Sequence, residues 1–225
     1  MTLQNPPKLI IFDLDGTLLD SVSSIADSMN AALAAAGLPT HPTARYFEFV
    51  GDGVEILARR ASARSVASTR APADDPELVA LVARYRQEYA SRELMAEPYP
   101  GVLDALRACA SRGVKLAILS NKPDANSRRI ADQLFAGVSF VSVCGEREGV
   151  ARKPDPQAAR SIAQQQGVAA DECWFVGDTS VDMRTAVAAK IHPVGVLWGF
   201  RGRDELLAHG AQVLIAHPSE LVTLF

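Results

Sequence analysis

The sequence predicts an α/β fold, in which a Rossmann-like, mostly parallel sheet forms the core and an α-helical cap domain is inserted into it. Three observations predict this. Short apolar runs end in turns, amphipathic helical patterns lie between those runs, and one long stretch keeps helical periodicity without a strand-like run. Strands that alternate with helices favour a parallel sheet covered by helices on both faces.

The apolar runs predict the strands of the core. Each run has the length of a buried strand and is followed by turn-forming residues. The predicted strands are 8–12, 114–119, 138–143, 173–176 and 193–197. The helices predicted between and after them are 102–110, 124–134, 156–166 and 180–189.

The stretch 18–96 predicts the inserted helical cap domain, which leaves residues 1–17 and 97–225 for the core. Two apolar helical faces support it, and Gly37 is expected to end the first helix. We expect a surface loop over 62–75, which is rich in Ser, Ala, Arg and Pro. The two faces consist of Ile25, Met29, Ala32, Leu33 and Ala36, and of Leu78, Leu81, Val82 and Tyr85.

Composition limits the classes of partner. The chain has 225 residues, 48% of them hydrophobic, which is sufficient for a real core. The formal net charge is -3, with 23 basic and 26 acidic side chains. Such a balance has no basic footprint for nucleic acid or for an anionic membrane, so we expect neither partner.

The cysteines and the amino terminus predict a cytoplasmic protein. None of Cys109, Cys144 and Cys173 has a second ligand at metal-binding spacing, so we expect buried free thiols in a reducing compartment. Residues 1–7 lack the pattern of a signal segment, and no apolar run reaches membrane-spanning length. We expect a monomer or a homodimer.

Two carboxylates follow the first predicted strand. Asp13 and Asp15 are two residues apart, so in an extended segment both face the same side and can address one substrate as nucleophile and as acid and base. Gly16 permits a sharp turn that the Thr17 hydroxyl can hold. A turn capped by two solvated acids remains the structural alternative for this motif alone.

A hydroxyl and a lysine follow later in the chain. Ser120 and Asn121 end another predicted strand, where the hydroxyl, the amide and backbone N–H groups can receive phosphoryl oxygens. Lys153 precedes Pro154-Asp155-Pro156 and offers a point charge in a rigid segment. Taken singly, Ser120-Asn121 is no more than an ordinary turn, and a lone lysine such as Lys153 is more often a surface residue.

A second carboxylate pair opens a predicted helix. Asp178 and Asp182 are four residues apart, and in a first helical turn they lie on one face and can gather a hard cation together with Asp13. Helix capping by Asp178 is the alternative, and it does not exclude metal binding. The four segments together supply the electrostatic clamp that phosphoryl transfer requires.

These segments resemble the four signature motifs of the haloacid dehalogenase-like hydrolases. The resemblance spans the whole chain, and it implies a phosphatase that forms an aspartyl-phosphate. The matching motifs are Asp13-Leu14-Asp15-Gly16-Thr17-Leu18, Ser120-Asn121-Lys122-Pro123, Lys153-Pro154-Asp155-Pro156 and Gly177-Asp178-Thr179-Ser180-Val181-Asp182.

The resemblance implies a role for each matching position. Asp13 is the nucleophile and Asp15 the general acid and base. Ser120 and Lys153 bind the phosphoryl group. Magnesium is held by Asp13, the main-chain carbonyl of Asp15, and Asp178, and Asp182 supports the site. The expected cofactor is therefore Mg²⁺, and the expected partner is a small phosphorylated metabolite.

The layout is most similar to phosphoglycolate phosphatases. Three features carry this closer resemblance, namely Asp20-Ser21, Val50-Gly51-Asp52-Gly53 and Pro98-Tyr99-Pro100-Gly101. We therefore predict 2-phosphoglycolate as substrate and a cap that excludes water from the site. Thr17, Asn121, Gly51, Asp52 and Arg60 are the predicted substrate-binding residues, and Arg45, Arg59 and Arg64 are further cap cations that can meet a carboxylate.

Other activities remain open within the resemblance. A sugar-phosphate phosphatase, a pyrophosphatase or a β-phosphoglucomutase-like phosphomutase needs the same Asp13 and Asp15. Dehalogenases do not need Asp15, and phosphonate-cleaving relatives need a cap lysine, of which there is none between Lys8 and Lys115. A signalling receiver domain does not need the helical insertion. A non-catalytic member with a decayed site is opposed by the intact motifs.

Overall fold

The computed structural model describes residues 6–63 and 75–225. The chain divides into two compact units, in which the second is inserted into the first. The inserted unit begins at Ser21 and ends at Glu97, whereas the sequence predicts boundaries at Leu18 and Ala96. The two units are Met1–Asp20 with Pro98–Phe225, and Ser21–Glu97.

The first unit contains a six-stranded parallel sheet, which confirms the predicted fold class. The strands are β1 (Leu9–Phe12), β2 (Leu19–Asp20), β3 (Glu97–Pro98), β4 (Lys115–Pro123), β5 (Phe140–Glu146), β6 (Cys173–Gly177), β7 (His192–Val196) and β8 (Val213–Ile215). The sheet order is β5-β4-β1-β6-β7-β8, while β2 pairs with β3. The strand β1 thus lies at the centre, between β4 and β6.

Burial explains why these runs form central strands. All four residues of β1 and all five of β6 are buried, as expected where helices cover both faces of a parallel sheet. Ile11, Leu119 and Phe175 belong to one buried cluster that also takes in Ile162 and Ala186 from the covering helices. The cluster fixes the three central strands relative to one another, and the candidate site depends on that arrangement.

The inserted unit is helical. It contains α1 (Val22–Ala35), α2 (Thr43–Phe49), α3 (Val54–Ala61), α4 (Pro76–Ala90) and a 3₁₀ turn at Glu93–Met95. The predicted face of α4 is entirely buried, and that of α1 is buried except for Ala36, which lies just beyond the helix. Asp75 caps α4 by accepting a hydrogen bond of 3.1 Å from the N–H of Leu78. The predicted loop 62–75 lies largely outside the described residues.

The remaining helices cover the sheet of the first unit. They are α5 (Val102–Ser111), α6 (Asp124–Leu134), α7 (Gln157–Gln165), α8 (Ser180–Ala189) and α9 (Arg203–Ala208), with 3₁₀ turns at Ala170–Glu172 and Pro218–Thr223. Helices α5 to α8 lie where the sequence predicts them, within two residues at each end. Among the described residues, no helix has both the length and the apolar character needed to cross a membrane.

Several details differ from the sequence-based prediction. Strands β4 and β5 run four and three residues beyond the predicted ends at 119 and 143. The strands β2 and β3 lie at the ends of a stretch for which no strand is predicted, because two-residue strands carry no periodicity. Strand β8 and helix α9 are not predicted either, since three and six residues give too short a pattern. The free cysteines are as predicted, except that Cys144 is only partly buried.

Candidate active site

Three neighbouring strands carry the candidate site at their carboxyl ends. Asp13 and Asp15 follow β1, Ser120 lies near the end of β4, and Asp178 follows β6. The N–H of Asp13 donates a 2.9 Å hydrogen bond to the carbonyl of Val176, which extends the pairing of β1 with β6 by one residue. Because these strands are adjacent and parallel, residues that are far apart in the sequence meet at one edge of the sheet.

A tight turn after β1 places the two carboxylates. The carbonyl of Leu14 accepts hydrogen bonds from the N–H groups of Leu18 and Leu19, at 3.0 and 2.9 Å. Gly16 has a φ of +85°, and a Cβ there would lie 2.3 Å from Asp178 Oδ2. Glycine is therefore required at this position both for the backbone conformation and for the close approach of Asp178.

The carboxylate of Asp13 is buried and is held through one of its oxygens. Oδ1 accepts a hydrogen bond of 2.7 Å from the N–H of Leu14 and lies 2.8 Å from the ammonium of Lys153. No residue that the structure describes donates a hydrogen bond to Oδ2. Burial, followed by the charge of Asp182, raises the pKa of Asp13 from 3.8 to about 7.

Lys153 is a buried cation of the site. Its side chain is 1% exposed, and Nζ lies 2.7 Å from Asp182 Oδ1 as well as 2.8 Å from Asp13. Burial on its own would lower the pKa of Lys153, but the charges of Asp13 and Asp182 outweigh it and raise that pKa above its usual value. Lys153 is therefore a fixed positive charge beside Asp13.

Asn121 holds the backbone of Lys153. The Asn121 side chain donates to the carbonyl of Lys153 at 3.1 Å and accepts from its N–H at 2.9 Å. The structure thus gives this amide a positioning role, and its contact with substrate stays a prediction. The buried hydroxyl of Ser120 accepts a 3.2 Å hydrogen bond from the N–H of Lys122, and its contact with a phosphoryl group is likewise a prediction.

Asp178 and Asp182 are buried at the start of α8. Asp178 accepts hydrogen bonds from the Thr17 hydroxyl at 2.8 Å and from the N–H of Phe200 at 2.8 Å. Asp182 accepts from the N–H and the hydroxyl of Thr179, at 3.0 and 2.7 Å, in a capping box. Burial and the charges of Asp182 and Asp13 raise the pKa of Asp178 well above its usual value. Thr179, rather than Asp178, is the residue that caps this helix.

The three acids form a group that fits a hard divalent cation. Asp13, Asp178 and Asp182 each offer a carboxylate oxygen, and these atoms all lie within 4.8 Å of one another. The donor set is oxygen only, which suits Mg²⁺ or Ca²⁺ and not a softer metal. A cation among these three buried carboxylates would replace their mutual repulsion by attraction. The residues therefore fit the magnesium that the sequence predicts.

Lys122 is a feature of the site that sequence reasoning did not assign. Its Nζ lies 2.8 Å from both Oδ1 and Oδ2 of Asp15. The residue stands inside the second motif, directly after Asn121. A lysine at the end of a buried strand, beside a motif that binds anions, was the available signal.

The segment after β7 also supports the candidate site, a role that the sequence does not predict. The indole N–H of Trp198 donates a 3.0 Å hydrogen bond to the carbonyl of Thr17, and Phe200 supplies the N–H that holds Asp178. Gly199 packs closely against Asp178 and Gly16, since a Cβ at Gly199 would be 2.3 Å from Asp178 Cβ and 2.4 Å from the Gly16 carbonyl oxygen. This segment thus supports the turn after β1 and the acid after β6.

The helical unit contains the other predicted substrate-binding residues. Gly51, with φ +116°, and Asp52 lie in the turn between α2 and α3, and Arg60 lies near the end of α3. Arg60 pairs with Asp52 at 2.8 Å and donates to the carbonyl of Phe49 at 2.9 Å. The roles of Gly51, Asp52 and Arg60 in binding substrate stay predictions. Arg64 lies outside the described residues.

Comparisons with known proteins agree with this site. The family model described as haloacid dehalogenase-like hydrolase matches residues 7–190, which include all four motifs. A phosphoglycolate phosphatase of Rhodospirillum rubrum is 36% identical over 206 residues, covering 91% of this chain and 85% of the relative. One of Pseudomonas putida is 33% identical over 216 residues, covering 96% and 76%.

A solved structure has the same fold. The protein, from Lactobacillus delbrueckii subsp. bulgaricus, is provisionally described as a phosphoglycolate phosphatase. It superposes on this chain with a TM-score of 0.87 and 30% identity, and the alignment covers 98% of this chain and 97% of the other. The likeness thus extends over both units of the chain.

Proposed function

We propose, starting from the fact that this chain belongs to the haloacid dehalogenase-like hydrolase family, that it is a phosphatase acting on a small phosphomonoester through an aspartyl-phosphate on Asp13. One observation carries the proposal. Among the residues that the structure describes, Asp13 is held through Oδ1 and not through Oδ2, beside the buried cation Lys153. A carboxylate fixed in this way presents its second oxygen to a phosphorus atom that the same lysine attracts.

The reaction takes two displacements at phosphorus. In the first, an Asp13 oxygen forms a bond to phosphorus, the bond to the ester oxygen breaks, and Asp15 gives its proton to the departing alcohol. In the second, Asp15 takes a proton from water, the water oxygen attacks phosphorus, and the bond to Asp13 breaks. Inorganic phosphate leaves, and both acids return to their starting states.

The positive charges of the site oppose the charge on the phosphoryl group. Lys153 supplies one, and Asp13, the carbonyl of Asp15, and Asp178 would hold a divalent cation that would supply more. Magnesium, when bound, neutralises charge on the phosphoryl oxygens and on the three buried acids. Asp182 keeps Lys153 in place, because its Oδ1 binds Nζ while its Oδ2 is held by Thr179.

We propose 2-phosphoglycolate as the substrate. The support is the description of several relatives at 31–36% identity as phosphoglycolate phosphatases. This substrate is consistent with the predicted small-molecule partner and with the predicted cytoplasmic location. The oligomeric state, monomer or homodimer, stays a prediction.

The test is the replacement Asp13→Asn, with Asp104→Asn as the matched control. Asp104 is an acid of the same unit whose side chain is 86% exposed. We expect Asp13→Asn to lower turnover by at least about three orders of magnitude, because an amide cannot form the acyl phosphate. The control should retain full activity. Rapid quenching with radiolabelled substrate should trap acid-stable phosphate on the unaltered protein and not on Asp13→Asn. Near-normal turnover by the Asp13 variant would contradict the proposal.

A further inference from the structure

Lys122 and Asp15 form an ion pair in which both carboxylate oxygens are occupied. Nζ lies 2.8 Å from each oxygen, and the side chains are 6% and 18% exposed, respectively. An ion pair that is this well shielded from water is stronger than a surface pair. It also restrains Asp15 more than a single bond does, because rotation of the carboxylate breaks at least one contact.

Lys122 itself stands on a fixed backbone. It lies at the end of β4, and its N–H donates to the hydroxyl of Ser120 at 3.2 Å. Gly145 of β5 packs on its carbonyl, since a Cβ at that position would lie 2.6 Å from the oxygen. Lys122 can therefore hold Asp15, which follows β1, from a backbone position that β4 and β5 fix.

The two lysines of the site bind different acids. Lys153 binds Asp13 and Asp182, whereas Lys122 binds Asp15. Without Lys122, the Asp15 carboxylate would be attracted by Lys153, the next buried ammonium of the site, and by any cation at Asp13. A shift of that kind would take Asp15 away from the leaving oxygen, because the proton donor has to lie on the side opposite to the attacking carboxylate.

We propose that Lys122 is the positioning residue that holds Asp15 for proton transfer to the leaving group. The inference rests on the proposed function, in which Asp15 is the acid and base. When Asp15 carries the transferred proton, the protonated oxygen gives up its contact with the ammonium, while the other oxygen stays bonded to Lys122. Lys122 acts through Asp15 and need not touch the substrate.

The test compares two aryl esters that differ only in a nitro group, phenyl phosphate and p-nitrophenyl phosphate. Phenolate needs a proton donor more than p-nitrophenolate does, and both esters fill the site in the same way. We expect Lys122→Met to lower kcat on phenyl phosphate at least about tenfold more than kcat on p-nitrophenyl phosphate, with KM nearly unchanged. Lys122→Arg should restore part of the loss, because it retains the ion pair.

A double-mutant cycle with Asp15→Asn separates positioning from direct action. If Lys122 acts only through Asp15, Lys122→Met should cost less than about twofold in the Asp15→Asn background. The matched control is Lys115→Met, a change of an exposed lysine on the same strand, which binds the carbonyl of Gln166. It should leave both esters unaffected.

Two outcomes would overturn the inference. One is a Lys122→Met effect that appears in KM and is equal for the two esters, and the other is full additivity with Asp15→Asn. Either result would mean that Lys122 binds the substrate itself. Should Lys122→Met fail to fold, as judged by circular dichroism, Lys122→Gln takes its place in the same cycle. Failure of the proposed function would look different, because Asp13→Asn would then retain activity.

Discussion

The ammonium of Lys153 lies between two buried carboxylates, 2.8 Å from Asp13 Oδ1 and 2.7 Å from Asp182 Oδ1. One cation therefore serves two acids, while a third acid, Asp178, stands beside them within 4.8 Å. The pKa of Asp13 is raised although a lysine touches it. Burial and the charge of Asp182 together outweigh the attraction of Lys153.

The raised pKa of Asp13 predicts how the stability of the metal-free protein depends on pH. The pKa of Asp13 is about 7 in the folded protein and near 3.8 in the unfolded chain. The folded protein therefore binds the Asp13 proton more tightly than the unfolded chain does. The contribution to stability is complete below about pH 4 and is lost as the pH rises towards about 7. Asp13→Asn carries no such proton, so its stability should rise relative to the unaltered protein, by up to a few kcal/mol, on the order expected for this shift.

Urea unfolding in excess chelator, at intervals from pH 4.5 to 7.5, measures this difference. The free energy of unfolding of Asp13→Asn should exceed that of the unaltered protein by an amount that grows as the pH rises. Added magnesium should narrow this difference, because the cation stabilises the ionised carboxylates. Two parallel stability profiles would show that Asp13 titrates normally and would contradict the prediction.

The metal prediction concerns Asp178. Replacing Asp178 by alanine removes one of the two carboxylates that are proposed to hold the cation, so the magnesium concentration for half-maximal activity should rise at least about tenfold. Excess magnesium should restore part of the activity, and calcium should bind without supporting turnover. Titration of activity against magnesium measures this effect, with Asp104→Ala as the exposed control. Full activity in excess chelator would exclude a metal requirement.

The close packing behind Asp178 leads to a prediction about Gly199. A methyl group there would overlap Asp178 Cβ and the Gly16 carbonyl oxygen, which are backbone-anchored and cannot move aside easily. We expect Gly199→Ala to displace Asp178, raising the magnesium requirement and lowering the melting temperature by several degrees, or about 1–3 kcal/mol. Gly202→Ala is the control, because a Cβ at Gly202 meets nothing within 4 Å. Equal magnesium requirements and melting temperatures for the two variants would contradict this account.

The sequence predicts the central part of the fold because that part is made of long, regular patterns. Strands β1, β4 and β6 are apolar runs, and the fold class together with the family is confirmed. Once the strands are parallel and adjacent, the positions of Asp13, Ser120 and Asp178 at one edge follow from topology alone. The short elements β8 and α9 contain too few residues to show a period.

Side-chain pairing could not be predicted in the same way. The spacing of the motifs predicts the edge of the sheet at which Lys122 lies. Whether its ammonium contacts a phosphoryl group or Asp15 depends on the rotamer of the side chain, which the sequence does not give. Phe200 acts through its backbone N–H, which any residue other than proline supplies, so its side chain gives no signal. The sequence assigns Asn121 to substrate because its amide can bind phosphate, and this contact stays a prediction. The sequence does not predict the bonds from both ends of that amide to the backbone of Lys153.

The last prediction concerns how the helical unit contributes to substrate choice. Arg60 is held by Asp52 and by the Phe49 carbonyl, and its side chain is 27% exposed. A guanidinium has five N–H donors, so two bonds leave others for a carboxylate, and a pre-oriented fork loses little entropy on binding. Arg45, by contrast, is 53% exposed and pairs with Glu48.

We therefore expect 2-phosphoglycolate to exceed glycerol phosphate, a hexose 6-phosphate and pyrophosphate in kcat/KM. Arg60→Ala should reduce kcat/KM for phosphoglycolate at least about tenfold more than for glycerol phosphate, which lacks the carboxylate. Asp52→Asn should act in the same direction but less strongly, because it frees the guanidinium without removing it. Arg45→Ala is the control and should change neither substrate. The phosphoglycolate assignment fails if a hexose phosphate or pyrophosphate is preferred tenfold or more, or if Arg60→Ala affects all substrates equally. Neither outcome would contradict the proposed chemistry of Asp13, because that chemistry depends on the residues at the edge of the sheet.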